Sequence, residues 1–145
     1  MDFLRPEEIT RFLGAASPEY HDLFLTAVLT GMRRGEILAL RWGDVDFVNS
    51  TSHVRRSFSC GILTSPKSRR SQRAIVMSPT LARRLEERKT SVGGVDADFV
   101  FSKANGKPLD GQNVVNREFH PALKRAGLRR IRFHDLRHYV VNLIM

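Results

Sequence analysis

Apolar positions in "RPEEITRFLGAA" recur at helical spacing, placing Ile9, Phe12, Leu13 and Ala16 on one face, with Pro6 and acidic residues at the start. The pattern predicts an amphipathic helix. "SPEYHDLFLTAVLTG" repeats it, with Ser17 as N-cap, Pro18 next, a face of Leu23, Phe24, Ala27 and Val28, and Gly31 as the stop. "RRGEILALRW" predicts a third helix with Ile37, Leu38 and Leu40 inward. Gly35 belongs near its start, since a mid-helix Gly costs about 1 kcal/mol.

The period then changes. Val45 and Phe47 alternate in "DVDFVNS", as do Val54, Arg56 and Phe58 in "SHVRRSFS", which predicts two short strands. "RAIVM" is a third strand whose natural partner is the second, so Lys67 falls on or beside a hairpin turn. "SPTLARRLEERK" restarts a helix with Ser78 as cap, and "DFVFSKANGKP" is an extended piece with an Asn105-Gly106 turn. "GQNVVNREFHPALKRAGL" is helical, is expected to split in two at Pro121, which lacks a backbone donor, and stops at Gly127. A last helix opens at "HDLRH" and runs into the apolar "VVNLIM". The expected fold is α+β and mainly helical, with a small antiparallel three-stranded sheet, in one domain over residues 1–145.

Charge adds the partner. The chain has 145 residues, 41% hydrophobic, enough for a real core, and a net charge of +9 that favours a polyanion. Its one cysteine, Cys60, excludes an internal disulfide, and the sequence holds no metal-ligand cluster. No apolar run approaches the roughly 20 residues of a membrane span, and "MDFLRPEE" is too acidic for a signal peptide. We therefore expect a cytoplasmic protein.

Three basic constellations stand out: "TGMRRGE" around Arg33, "SPKSRR" around Lys67, and "HDLRH" with His134 and Arg137. Each alone reads equally well as solvated surface. Together they suit a phosphodiester under substitution. Paired guanidiniums stabilise the charge gathered on its nonbridging oxygens, and a Lys or His can protonate the departing oxygen.

In that order, and with "LRPEEITRFL", "VFSKANGKPL" and "ALKRAGL" around them, these motifs resemble the catalytic domain of the tyrosine recombinases of the phage integrase family. The resemblance covers the whole chain. It implies that Arg33 and Arg137 clamp the scissile phosphate, that Lys67 is the general acid toward the leaving 5′ oxygen, and that His134 assists proton transfer. Glu36 would hold the Arg33 guanidinium from behind, His138 would support the site, and Arg34, Arg69, Arg70 and Arg73 would touch DNA. The partner is double-stranded DNA, and the implied chemistry, cleavage and rejoining through a 3′-phosphotyrosine for integration or excision, requires neither metal nor other cofactor.

The family's nucleophilic tyrosine follows the His-x-x-Arg helix, and neither Tyr20 nor Tyr139 stands in such a motif. A counterpart of the family's N-terminal core-binding domain is not expected within residues 1–145 either. The chain is accordingly expected to be a partial catalytic domain, inactive by itself, whose Val140, Val141, Leu143, Ile144 and Met145 form an apolar surface that promotes self-association. The alternative is a nonenzymatic DNA-binding or regulatory protein on a decayed recombinase scaffold. An RNA-binding module is disfavoured, because the Phe residues fall on core faces rather than among basic ones.

Overall fold

The computed structural model describes residues 3–65 and 72–137. In chain order these form α1 (Pro6–Ala15), α2 (Pro18–Thr30), α3 (Arg34–Leu38), a 3₁₀ turn (Trp42–Asp44), β1 (Val45–Asp46), β2 (Thr51–Val54), β3 (Ser57–Ser59), β4 (Ile62–Thr64), β5 (Arg73–Val76), α4 (Pro79–Val92), α5 (Gly111–Val114), a π-helical turn (Val115–Phe119), α6 (His120–Arg125) and a second 3₁₀ turn (Phe133–Leu136). They divide into unit 1, Met1–Arg34 with Gly111–Met145, and unit 2, Gly35–Asp110.

Unit 1 is helical around a cluster of aromatic rings. Phe12 of α1 lies 5.1 Å from Phe24 of α2 and 5.4 Å, edge-on, from Phe119, which meets Phe133 at 5.3 Å. Such offset and edge contacts add specificity to the burial itself. Three arginines also tie α1 and a residue ahead of it to the end of α6 and the residues that follow. Arg125 Nε donates to the Ala15 carbonyl, Arg11 Nη2 to that of Ala126, and Arg129 to Glu8 Oε2 and the Phe3 carbonyl. The expected break at Pro121 takes another form. The backbone stays helical from Val114 through Ala126, and the missing donor is absorbed by the π turn, where the His120 N–H reaches Val115 O.

Unit 2 carries the sheet, in the order β1-β2-β5, antiparallel throughout, with Val45 opposite Ser52 and Ser52 opposite Ile75. The third predicted strand pairs with the second as expected. The second is shorter than its alternation suggested, since β2 ends at Val54 and Phe58 belongs to a separate hairpin, β3–β4, that was not anticipated. Its two-residue turn has positive φ at both Cys60 (52°) and Gly61 (77°), the combination that matches strand twist. Arg55 and Arg56 between the strands both pair with buried Asp44, at 3.2 and 2.7 Å.

α4 starts as predicted, with the Ser78 hydroxyl accepting from the Leu81 N–H, and ends at Gly93 (φ 67°). Gly94 then lies against the indole of buried Trp42, where a Cβ would come within 2.4 Å of Nε1. Gly35 sits in the first turn of α3, where a Cβ would meet Ser57 Oγ at 2.4 Å and Phe58 O at 3.0 Å. Close approach of the hairpin, rather than helix propensity alone, therefore calls for glycine there. No helix among the described residues is long and apolar enough to cross a membrane.

Candidate active site

Two backbone turns of unit 1 present three of the predicted site residues. The first turn closes α2. Gly31 adopts the left-handed conformation (φ 69°) and its N–H caps Ala27 O, so the chain reverses within one residue. The buried Thr30 hydroxyl donates to Thr26 O at 2.6 Å and accepts from the Met32 N–H at 3.1 Å. Met32 is 1% exposed and plugs the core, which turns the next residue, Arg33, outward into solvent. Arg34 is half-buried, its guanidinium lying over Gly111 so closely that a Cβ there would stand 2.9 Å from Nε.

The second turn carries the His-x-x-Arg motif. Phe133, Asp135 and Leu136 face the core while His134 is exposed and Arg137 half-buried. The carboxylate of Asp135 accepts from the Arg132 backbone N–H and from its guanidinium, each at 3.0 Å. That contact holds the Arg132 side chain more firmly in its charged form, through the hydrogen bond first and the opposite charge second.

The two turns meet. Arg137 Nε donates to the Gly31 carbonyl oxygen at 2.7 Å, across 106 positions of sequence. The arginine of one predicted motif is thereby fixed to the loop that aims the other. A guanidinium has five N–H donors, and the Gly31 contact takes one of them. An arginine so anchored keeps its planar fork in one orientation, which suits it to a tetrahedral oxyanion.

In unit 2, Glu36 is 7% exposed and its carboxylate is engaged in a bidentate pair by Arg73, at 2.9 and 3.0 Å. The acid expected behind Arg33 and an arginine expected on DNA are thus partners of each other. Lys67, Arg69, Arg70 and His138 lie outside the described residues, as do Tyr139 and the apolar stretch 140–145. Tyr20 is half-buried in α2, and burial, then the charges of Glu118 and Glu19, push its phenol up from the usual value. That is the reverse of what an activated nucleophile needs. Two residues that frame these turns, Thr30 and Asp135, received no role from the sequence. Asp135 carried a signal, an acid at the third position of the turn begun by Arg132, as in a capping box.

Comparison with known proteins gives the family and the fold. The model of the phage integrase family matches residues 2–143. The ICEBs1 integrase of Bacillus subtilis (strain 168) is 26% identical over a match that takes in 100% of this chain and 43% of its own length. The integrase of Salmonella phage P22 is 28% identical over 94% of this chain and 35% of its own. The chain thus spans less than half the length of these curated relatives. Among solved structures, the Tn1549 transposon integrase in complex with circular intermediate DNA superposes with a TM-score of 0.84, at 20% identity, over 99% of this chain and 54% of that one. XerA recombinase gives 0.81 at 23% identity, over 99% and 49%. Both likenesses are likenesses of fold.

Proposed function

The chain belongs to the phage integrase family, and from that premise we propose that it is the phosphate-binding part of a site-specific DNA recombinase. In this reading Arg33, His134 and Arg137 receive the scissile phosphate of duplex DNA, and Lys67 delivers a proton to the departing 5′ oxygen. Arg34, Arg69 and Arg70 contact the flanking backbone. The observation that supports it best is the bond from Arg137 to Gly31, because it ties both arginine motifs to one place in unit 1. The net charge of +9 supports a nucleic-acid partner, and the solved Tn1549 neighbour is itself a DNA complex.

The reaction assigned to the whole recombinase is strand cleavage and rejoining through a 3′-phosphotyrosine, for integration or excision. The part proposed for this chain in that reaction is to bind and orient the phosphate. Action on DNA implies a cytoplasmic site. The apolar stretch 140–145 is proposed to join copies of the chain, and light scattering over a dilution series tests that.

The main test is titration of labelled duplex at several salt concentrations, with orthovanadate as a competing anion. Binding should weaken steeply with salt, and Arg33→Ala should lower the slope of log K against log salt by about 0.9, the share of one phosphate contact. Salt-independent binding, or an unchanged slope in Arg33→Ala, would overturn the reading.

A further inference from the structure

His134 and Arg137 stand at i and i+3, and the geometry of the turn decides whether they align. In an α-helix such residues are offset by about 60° around the axis, whereas in a 3₁₀ turn, with about three residues per turn, they eclipse. Phe133–Leu136 is a 3₁₀ turn, and the Asp135 N–H returns to Arg132 O at 3.0 Å. Such turns have poorer hydrogen-bond geometry than an α-helix and are usually short. Something must hold this one in register.

We infer that Asp135 is a positioning residue for the proposed phosphate site, holding the 3₁₀ turn that sets His134 and Arg137 in line. Its carboxylate is 3% exposed and closes the turn twice, on the Arg132 N–H through Oδ2 and on the Arg132 guanidinium through Oδ1. A buried carboxylate is costly to leave unpaired, so the clasp resists opening. Phe133 and Leu136, at 7% and 1% exposure, anchor the turn on either side of it. The other end of the device is Arg137 itself. Its 2.7 Å bond to Gly31 O requires its Cα to stay where the turn delivers it. Relaxation to α geometry would rotate Arg137 away from His134 and draw Nε from the Gly31 carbonyl. Asp135 thus acts on the phosphate through Arg137, without touching it.

The inference rests on the proposed function for its purpose, yet it can be tested separately. Nitrogen-15 spectra of the full chain resolve arginine Nε–H groups, and the Arg137 signal is assigned by its loss in Arg137→Lys. In Asp135→Ala that signal should move to the position of a solvent-exposed arginine, and affinity for inorganic phosphate should fall about tenfold, the scale of one charge-assisted hydrogen bond. Asp135→Asn keeps an oxygen for the Arg132 N–H and should restore the signal, with affinity within about threefold of the parent. If Asp135→Ala does not fold, Arg132→Ala, which removes only the guanidinium half of the clasp, should displace the signal in the same direction by less. An Arg137 signal unmoved in a folded Asp135→Ala chain, or in Arg132→Ala where that is the variant that folds, overturns the inference. Failure of the parent chain to bind phosphate would overturn the proposed function instead, while the Arg137 signal still decides the role of Asp135.

Discussion

Arg137 donates its Nε–H to the carbonyl of Gly31 over 2.7 Å, and that carbonyl is available because Gly31 is left-handed at φ 69°. A side chain at this position would press against its own carbonyl, at roughly 1–2 kcal/mol for an L-residue. Gly31→Ala should lower the unfolding free energy by that amount, read as a lower urea midpoint with an unchanged m-value. It should also weaken phosphate binding, because the carbonyl turns as the strain relaxes. A midpoint equal to that of the parent would mean that the loop tolerates a Cβ and that the glycine is incidental.

Acid should loosen the clasp around α1. Glu8 accepts the Arg5 backbone N–H and a 2.8 Å bond from Arg129, and these hold its carboxyl down at about 2. A carboxyl depressed on folding contributes stability that is complete above its ordinary value of 4.5 and is lost as pH falls through 2. Glu8→Gln should therefore be less stable than the parent at neutral pH, and the two should converge as pH approaches 2. Thermal melts at closely spaced pH values measure this; a constant gap down to pH 2 would refute it.

Much of this fold was legible in the sequence because its signals are local. Gly31, Ser78 and Gly127 each end or cap a helix where a one-residue requirement demanded it. The third strand found its partner because Val54 and Arg73 bracket one ladder. The β3–β4 hairpin was not legible, since its turn places Cys60, which is not a turn-forming type, at positive φ. The site shows the same division. Arg33, His134 and Arg137 are recognisable by motif, but the Arg137 to Gly31 bond spans 106 positions, and no periodicity encodes such a distance. Glu36 was expected behind Arg33, but its bidentate partner Arg73 comes from a strand far along the chain.

Gly94 offers a test of packing in unit 2 with an internal reporter. The sequence has a single tryptophan, Trp42, which is 1% exposed, and a Cβ on Gly94 would lie 2.4 Å from its Nε1 and 2.5 Å from Cδ1. The indole must shift or the loop must lift. Gly94→Ala should cost about 1–3 kcal/mol, as overpacking commonly does. Its emission should move to the red as water reaches the ring. Parent-like fluorescence and stability together would show that the loop simply moves aside.

The pair between Glu36 and Arg73 separates an arginine that holds the fold from Arg33, which is proposed to hold DNA. Arg73 was expected on the phosphate backbone, yet its guanidinium is engaged bidentately by Glu36, which is 7% exposed. Removing Arg73 leaves that carboxylate buried without this partner. Breaking a fully buried pair costs about 3–5 kcal/mol, but the Arg73 side chain is 33% exposed, so solvent screening reduces the expected loss for Arg73→Ala to about 1–3 kcal/mol. Glu36→Ala should cost less, because the arginine left behind can turn to water. The double variant should be less destabilised than the sum of the two, since no carboxylate remains to be satisfied. DNA binding supplies the contrasting measurement. Arg73→Ala should leave the salt slope of duplex binding unchanged, whereas Arg33→Ala should reduce it by about 0.9. A reduced slope in Arg73→Ala without loss of stability would reverse the assignment and return Arg73 to the DNA.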